Sequence, residues 1–316
     1  MSRIHDALKK AEQERIAVQT TEMASAIPVE TAATRQSISD APANDAVRAA
    51  PTPSPAPASA EAGYLRFDRL LTDCAHPRWN PDPNLNVFDK DNPNARAAEQ
   101  FRTLRSRLYQ IRSAQPIRTL LITSSLPAEG KTFVASNLGQ AIARQPDRRA
   151  LVIDADIRCA RLHVSLGAPS APGLTDYLRG EIDELGVIQH GQEGNFCIIP
   201  GGNDVTDPSE LLSNGRLKKL LDRVAPVFDW VILDSPPCLP IADAAILAGQ
   251  CDAALLVVRA GVTPSEIAQK ACNELQGKNL VGVVLNATED VEIYGRYHYG
   301  PYSYSGTYVG NAKNRK

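Results

Sequence analysis

The stretch TLLITSSLPAEGKTFVASNLG, residues 119–139, constrains this chain more than any other. It sets an apolar strand before a loop and places Lys131 and Thr132 where a helix opens, which is the context a phosphate loop requires. Loop amides and the N-terminus of that helix would surround phosphate oxygens, with the helix dipole favouring negative charge. Lys131 would reach the β- and γ-phosphates and Thr132 would offer its hydroxyl to Mg²⁺. Gly130 allows close approach of the backbone. Ser125 stands where such loops usually carry their first glycine. The candidate nucleotide-binding residues are therefore Ser125, Ala128, Glu129, Gly130, Lys131, Thr132 and Phe133.

Further apolar runs repeat the strand signal at Ala150–Ile153, Phe196–Ile199, Trp230–Leu233, Ala253–Val258 and Leu280–Leu285, with helical stretches between them. Continuous apolar runs suit strands buried on both faces. The alternation predicts an α/β fold of the P-loop NTPase type, a mostly parallel sheet with helices on both sides. Two of the runs end in acids: ALVIDADIR carries Asp154 and Asp156, and WVILDSPP carries Asp234. In a parallel sheet the carboxyl ends of strands open onto the ligand crevice, so all three acids should lie near the phosphates. Asp234 is the natural Mg²⁺ ligand, direct or through water. Asp154 and Asp156 could divide metal coordination from proton acceptance. Arg161 and His163, just beyond, either touch nucleotide or pack.

Composition narrows the classes. A formal charge of -2 gives nucleic-acid binding no support. Six cysteines are scattered without a CxxC pair, which fits a reducing cytosol and speaks against structural zinc. The opening MSRIHDALKK lacks the apolar core of a signal peptide, and no apolar run reaches the length of a membrane span. The expected location is cytoplasmic.

The ends read differently from the middle. Residues 1–17 place Ile4, Ala7, Leu8 and Ala11 on one helical stripe, either a docking helix or a frayed terminus. Residues 18–62, rich in Ala, Pro, Ser and Thr, predict a disordered linker. A nucleotide-binding domain is expected over 63–287. The last segment, 288–316, holds six of the chain's nine tyrosines: Tyr294, Tyr297, Tyr299, Tyr302, Tyr304 and Tyr308. No period of 2 or 3.6 persists there, so a flexible tail is expected, either a set of phosphoacceptors or an adhesive low-complexity segment.

The phosphate loop SSLPAEGKTFVASNL, VIDADIR and VILDSPPCLPIADA resemble the motifs of bacterial tyrosine kinases of capsule and exopolysaccharide synthesis, with PSELL (208–212) and GVVLN (282–286) extending the match. The resemblance implies catalytic roles for Lys131, Asp154 and Asp156, with Asp154 activating the tyrosine hydroxyl. It implies metal binding by Thr132, Asp156 and Asp234, and adenine contact by Asn286. Glu99, Arg102 and Arg105 reproduce an ExxRxxR pattern that holds subunits in a ring; from the residues alone they are an ordinary solvated face. Implied cofactors are ATP and Mg²⁺. Implied partners are copies of the chain itself, a membrane-embedded polysaccharide co-polymerase or adaptor that recruits it to the inner face of the membrane, and a tyrosine phosphatase. The activity implied is ATP-dependent autophosphorylation of the tail tyrosines, in trans within the ring. A nucleotide-switched ATPase scaffold without kinase activity is the alternative. Septum-site and partition ATPases carry a signature lysine where this loop has Leu126, which favours the kinase branch.

Overall fold

The computed structural model describes residues 65–88, 94–191, 194–203 and 205–288. The helix expected over 1–17, the linker over 18–62 and the six tail tyrosines lie outside these residues.

Seven strands form one sheet: β1 (Thr119–Ser124), β2 (Ala150–Asp154), β3 (Gln189–His190), β4 (Phe196–Ile199), β5 (Trp230–Asp234), β6 (Ala253–Arg259) and β7 (Leu280–Asn286). Their order is β3-β4-β2-β5-β1-β6-β7. Neighbours run parallel except β3, which pairs antiparallel with β4. This is the expected α/β architecture. The six apolar runs all became strands, and the short β3 had no sequence signal.

Alternation within β1 shows why apolar runs fit here. Leu120 and Ile122 belong to one core with Val152 and Ile232, under the helices Ala95–Ala114 and Lys131–Ala143. Leu121 belongs to the opposite core with Leu151, Ile153, Val231 and Leu233. On that second side the helix Arg216–Val224 contributes Leu217, Leu220, Leu221 and Val224, the i, i+3, i+4, i+7 stripe of a helix lying on a sheet. Each such fully buried side chain contributes about 1.5–3 kcal/mol relative to exposure.

The helix Lys131–Ala143 is buried along most of its length and crosses the sheet closely. At Gly139 a Cβ would lie 2.5 Å from Val152 Cγ2 and 2.8 Å from Phe196 Cε2, so only glycine permits that approach. Asn137 on this helix holds the segment before it: its amide donates to the carbonyls of Leu85 and Phe133 and accepts from the Val87 N–H. No helix among the described residues is long and apolar enough to cross a membrane.

The strand order places the site. The chain leaves β1 for β2 on one side, and β5, which separates them, later crosses β1 to reach β6. Such a switch in direction opens a crevice at the carboxyl ends of the strands. The loops after β1, β2 and β5 all empty into it.

Candidate active site

Gly130 caps the phosphate-loop helix in the left-handed region, at φ 94°, and Ala128 two residues earlier is also left-handed at φ 63°. A side chain at 130 would be strained by this backbone, and its Cβ would stand 2.0 Å from Asn286 Nδ2. The first helical hydrogen bond runs from Val134 N to the Gly130 carbonyl. The amides of Lys131, Thr132 and Phe133, in the helix's first turn, have no intrahelical acceptor and suit an anion.

Sheet register brings the acids together. Asp154 and Asp234 are Cα partners across β2 and β5, and Ile122, just before the loop, pairs with Asp234 across β1 and β5. Lys131 Nζ lies 3.0 Å from Asp156 Oδ2. Burial works against the charge of Lys131, but Asp234, Asp156 and Asp154 outweigh it and hold the ammonium above its ordinary proton affinity.

The two strand-end acids are fully buried and behave differently. Asp154 Oδ2 accepts the Arg161 and Leu162 amides, each at 2.9 Å, while Oδ1 has no partner. Burial, and then the charge of Asp234, push its pKa well above the carboxylate range against those amide bonds. Both oxygens of Asp234 are buried without a hydrogen-bond partner. Burial raises Asp234 to about 7, opposed by Lys131 and by the nearby Thr132 hydroxyl, which approaches it without completing a hydrogen bond.

A buried carboxylate with both oxygens unpartnered fits a cation better than it fits a core. Asp234 and Thr132 are the oxygens that would hold Mg²⁺, with Asp156 beside them. No cluster of three or more His, Cys, Asp or Glu side chains among the described residues forms a metal cage. That suits Mg²⁺, which keeps several waters and takes one or two carboxylates plus substrate phosphates.

The structure places the other expected site residues around the loop. Glu129 is 3% exposed, and its carboxylate is taken up by donors within the fold. Phe133, partly buried, packs edge-on against Phe101 at 5.8 Å at the margin of the core. Ser125 Oγ is buried and unpartnered. Asn286 Nδ2 donates to the Glu129 carbonyl at 2.9 Å, so its amide oxygen is the atom that would be left to meet a nucleobase. His163 Nδ1 is buried without a partner, and burial lowers its pKa.

One constellation was not singled out from the sequence. Arg158 Nε donates to Asp243 Oδ2 at 2.6 Å, and its Nη2 reaches Asp243 Oδ1 at 3.2 Å and Ser209 Oγ at 2.9 Å. Asp243 is fully buried, and its hydrogen bonds to Arg158 and Ser209 outweigh burial and lower its pKa. This network ties VIDADIR, PSELL and the IADA end of the third motif into one wall. The arginine of an acid-rich motif and a later aspartate were the only hints of it.

The ExxRxxR trio splits. Arg102 pairs with Glu99 at 2.9 Å on an exposed face. Arg105 instead donates from Nη1 to the Ala141 carbonyl of its own chain, capping the end of the phosphate-loop helix. Arg105→Ala should therefore cost about 1–2 kcal/mol in urea unfolding of the isolated chain. Arg102→Ala should cost less than about 0.5 kcal/mol. Equal costs would show that Arg105 is as free as Arg102.

Comparison with known proteins bears on the family of the chain. No protein-family model matches. The chain is 37% identical over 225 residues to the tyrosine-protein kinase Etk of Escherichia coli K12, covering 70% of this chain and 30% of that relative. It thus spans about 30% of the length of that relative. It is 32% identical over 203 residues to the tyrosine-protein kinase YwqD of Bacillus subtilis, covering 64% of this chain and 85% of the relative. The solved kinase domain of Escherichia coli Etk superposes with a TM-score of 0.59 at 32% identity, over 69% of this chain and 84% of that one. With 85% of a relative's length matched at this identity, and the same overall fold as a solved kinase domain, the chain belongs to the bacterial tyrosine-protein kinases.

Proposed function

We propose that this chain is an ATP-dependent protein-tyrosine kinase that phosphorylates the tyrosines of its own C-terminal segment. The observation that carries this reading is one ammonium, Lys131, set among three buried carboxylates beneath a phosphate loop. Lys131 and the first-turn amides meet the charge of the γ-phosphoryl group, and Asp154, Asp156 and Asp234 stand on the side where a hydroxyl would attack. Asp154 is the proton acceptor. Its Oδ2 is fixed by two amides, its Oδ1 is free, and burial strengthens its hold on a proton. The tyrosine oxygen forms a bond to the γ-phosphorus as the bond to the ADP oxygen breaks, and the phenolic proton passes to Asp154. Mg²⁺, when bound, supplies positive charge to the phosphate oxygens.

The acceptors in this reading are Tyr294, Tyr297, Tyr299, Tyr302, Tyr304 and Tyr308, presented to a neighbouring subunit in a ring whose contacts include Glu99 and Arg102. Arg105, already engaged within its own chain, would have to exchange that bond to join them. The role served is exopolysaccharide or capsule synthesis or export, with a membrane-embedded adaptor recruiting the kinase and a tyrosine phosphatase reversing it. Each phosphate adds about -1.5 to -2 charges, enough for a fully modified tail to loosen the ring by repulsion.

Intact mass and anti-phosphotyrosine detection test the reading on dephosphorylated full chain and on a form ending at Thr288, each incubated with MgATP. Whole-phosphate increments on the full chain alone are expected. ATP turnover without phosphotyrosine would overturn the kinase reading in favour of a nucleotide-switched scaffold. Equal increments on both forms would overturn the assignment of the acceptors.

A further inference from the structure

Glu129 is an awkward residue for a phosphate loop. Its negative charge sits two residues from Lys131, where it opposes an arriving polyphosphate. It makes no salt bridge among the described residues. A buried carboxylate without a cation is costly unless neutral donors satisfy it, and here they do. Oε2 accepts the Leu126 amide at 2.7 Å, and Oε1 accepts the Arg259 amide at 3.4 Å and the Thr263 hydroxyl.

Those donors come from two places. Leu126 belongs to the loop itself, so the first contact closes the loop on its own backbone. Its turn is tightened by Ser124 Oγ, which donates to the Leu126 carbonyl at 2.7 Å. Arg259 and Thr263 belong to the end of β6 and the turn beyond it, more than a hundred residues away. That turn is itself anchored: Thr263 N donates to the Arg259 carbonyl at 3.1 Å, and Ala260 N to the Asn286 carbonyl at 2.9 Å. Asn286 closes the circuit through its side-chain bond to the Glu129 carbonyl. The loop is thus fastened to the ends of β6 and β7 by one carboxylate and one amide.

We propose that Thr263, which lies outside every nucleotide motif of the chain, is a positioning residue for the phosphate loop, latching it through the Glu129 carboxylate to the end of β6. This rests on the nucleotide-binding reading above. The latch holds Ala128 and Gly130 in their left-handed conformations, so the amides face the phosphates before the nucleotide arrives. It also holds the Glu129 charge turned away from them. Without the Thr263 hydroxyl, Oε1 keeps only the long Arg259 contact, and the carboxylate is free to swing toward the mouth of the loop. Thr263 therefore governs nucleotide affinity without touching nucleotide.

The test is MgADP binding by titration calorimetry on full chain, with a double-mutant cycle between the two residues. Thr263→Val keeps the shape and removes the hydroxyl, and should weaken MgADP binding about 10-fold, equivalent to about 1.4 kcal/mol. Thr263→Ser restores the hydroxyl and should bind within about 2-fold of wild type, a rescue that general loosening of the turn would not give. In a Glu129→Ala background, Thr263→Val should have no further effect, because its only route to the loop is gone. In turnover assays the loss should fall on KM for ATP more than on kcat. Wild-type affinity in Thr263→Val, or the same loss with and without Glu129, would overturn the latch. Failure of wild type to bind MgADP would instead sink the nucleotide reading and the latch with it, and the wild-type titration alone reveals that case.

Discussion

Lys131→Met is expected to abolish tyrosine phosphorylation while leaving a folded protein. The Lys131 ammonium is the counter-charge to three carboxylates, touching Asp156 at 3.0 Å and lying within the field of Asp154 and Asp234. Its loss leaves a cluster of negative charge where phosphates must enter. Removing a single preorganised donor of transition-state charge costs about 10²- to 10³-fold in kcat, and here ground-state binding is lost as well. The same substitution carries a pH signature in the unliganded chain. Asp154 and Asp234 already bind protons more tightly folded than unfolded, and losing Lys131 raises them further. A carboxyl raised in the folded state costs stability as pH rises through the gap between its two values. The mutant's deficit should therefore be small near pH 5 and grow toward pH 8, read by urea unfolding in EDTA. A deficit independent of pH would show that Lys131 does not carry the balance of this cluster. Undiminished phosphotyrosine in the purified mutant would end the case for self-catalysis.

What the sequence disclosed and what it hid follow from how each feature is written along the chain. Strand interiors were legible because burial on both faces demands unbroken apolar runs such as LVI at 151–153. Two ends, Asp154 and Asp234, were legible as acids closing an apolar run, whereas Ser124 and Asn286 were not, because a polar side chain there reads equally well as the start of the following loop. β3 is two residues long and antiparallel, too short for any period to register. Lys131, Asp154, Asp156 and Asp234 were legible because each sits at a strand end or helix start in a local motif. Arg158 with Asp243, Arg105 with Ala141 and Thr263 with Glu129 were not, since each joins residues 36 to 134 positions apart. Nothing local distinguishes a threonine that latches a loop from one that caps a turn. Glu129 shows the converse: its position in the loop suggested a part in nucleotide binding, and nothing local showed that its carboxylate would be held by Leu126, Arg259 and Thr263.

The tension between holding the fold and binding nucleotide is sharpest at Asp234, and Asp234→Asn should separate the two. In the unliganded chain this carboxylate is fully buried, with neither oxygen hydrogen-bonded, and burial raises its pKa from 3.8 to about 7. The folded state thus holds a proton that the unfolded chain releases near pH 4. Stability is lost as pH rises from there through 7, and above that the group costs on the order of 4 kcal/mol. Asparagine keeps the shape and carries no charge, so the unliganded variant should be more stable than wild type at pH 8. The gain should shrink to little at pH 4, where wild-type Asp234 is already neutral. The order should reverse on adding MgATP or MgADP. Wild type gains stability by mass action with ligand, whereas the variant has lost the carboxylate that fits the cation and should gain little. Thermal unfolding at pH 8 and pH 4, in EDTA and in excess Mg²⁺ with nucleotide, checks every arm of this. An unliganded Asp234→Asn less stable than wild type at pH 8 would mean the carboxylate is satisfied by the fold itself, and its case as a metal ligand would fall with that result.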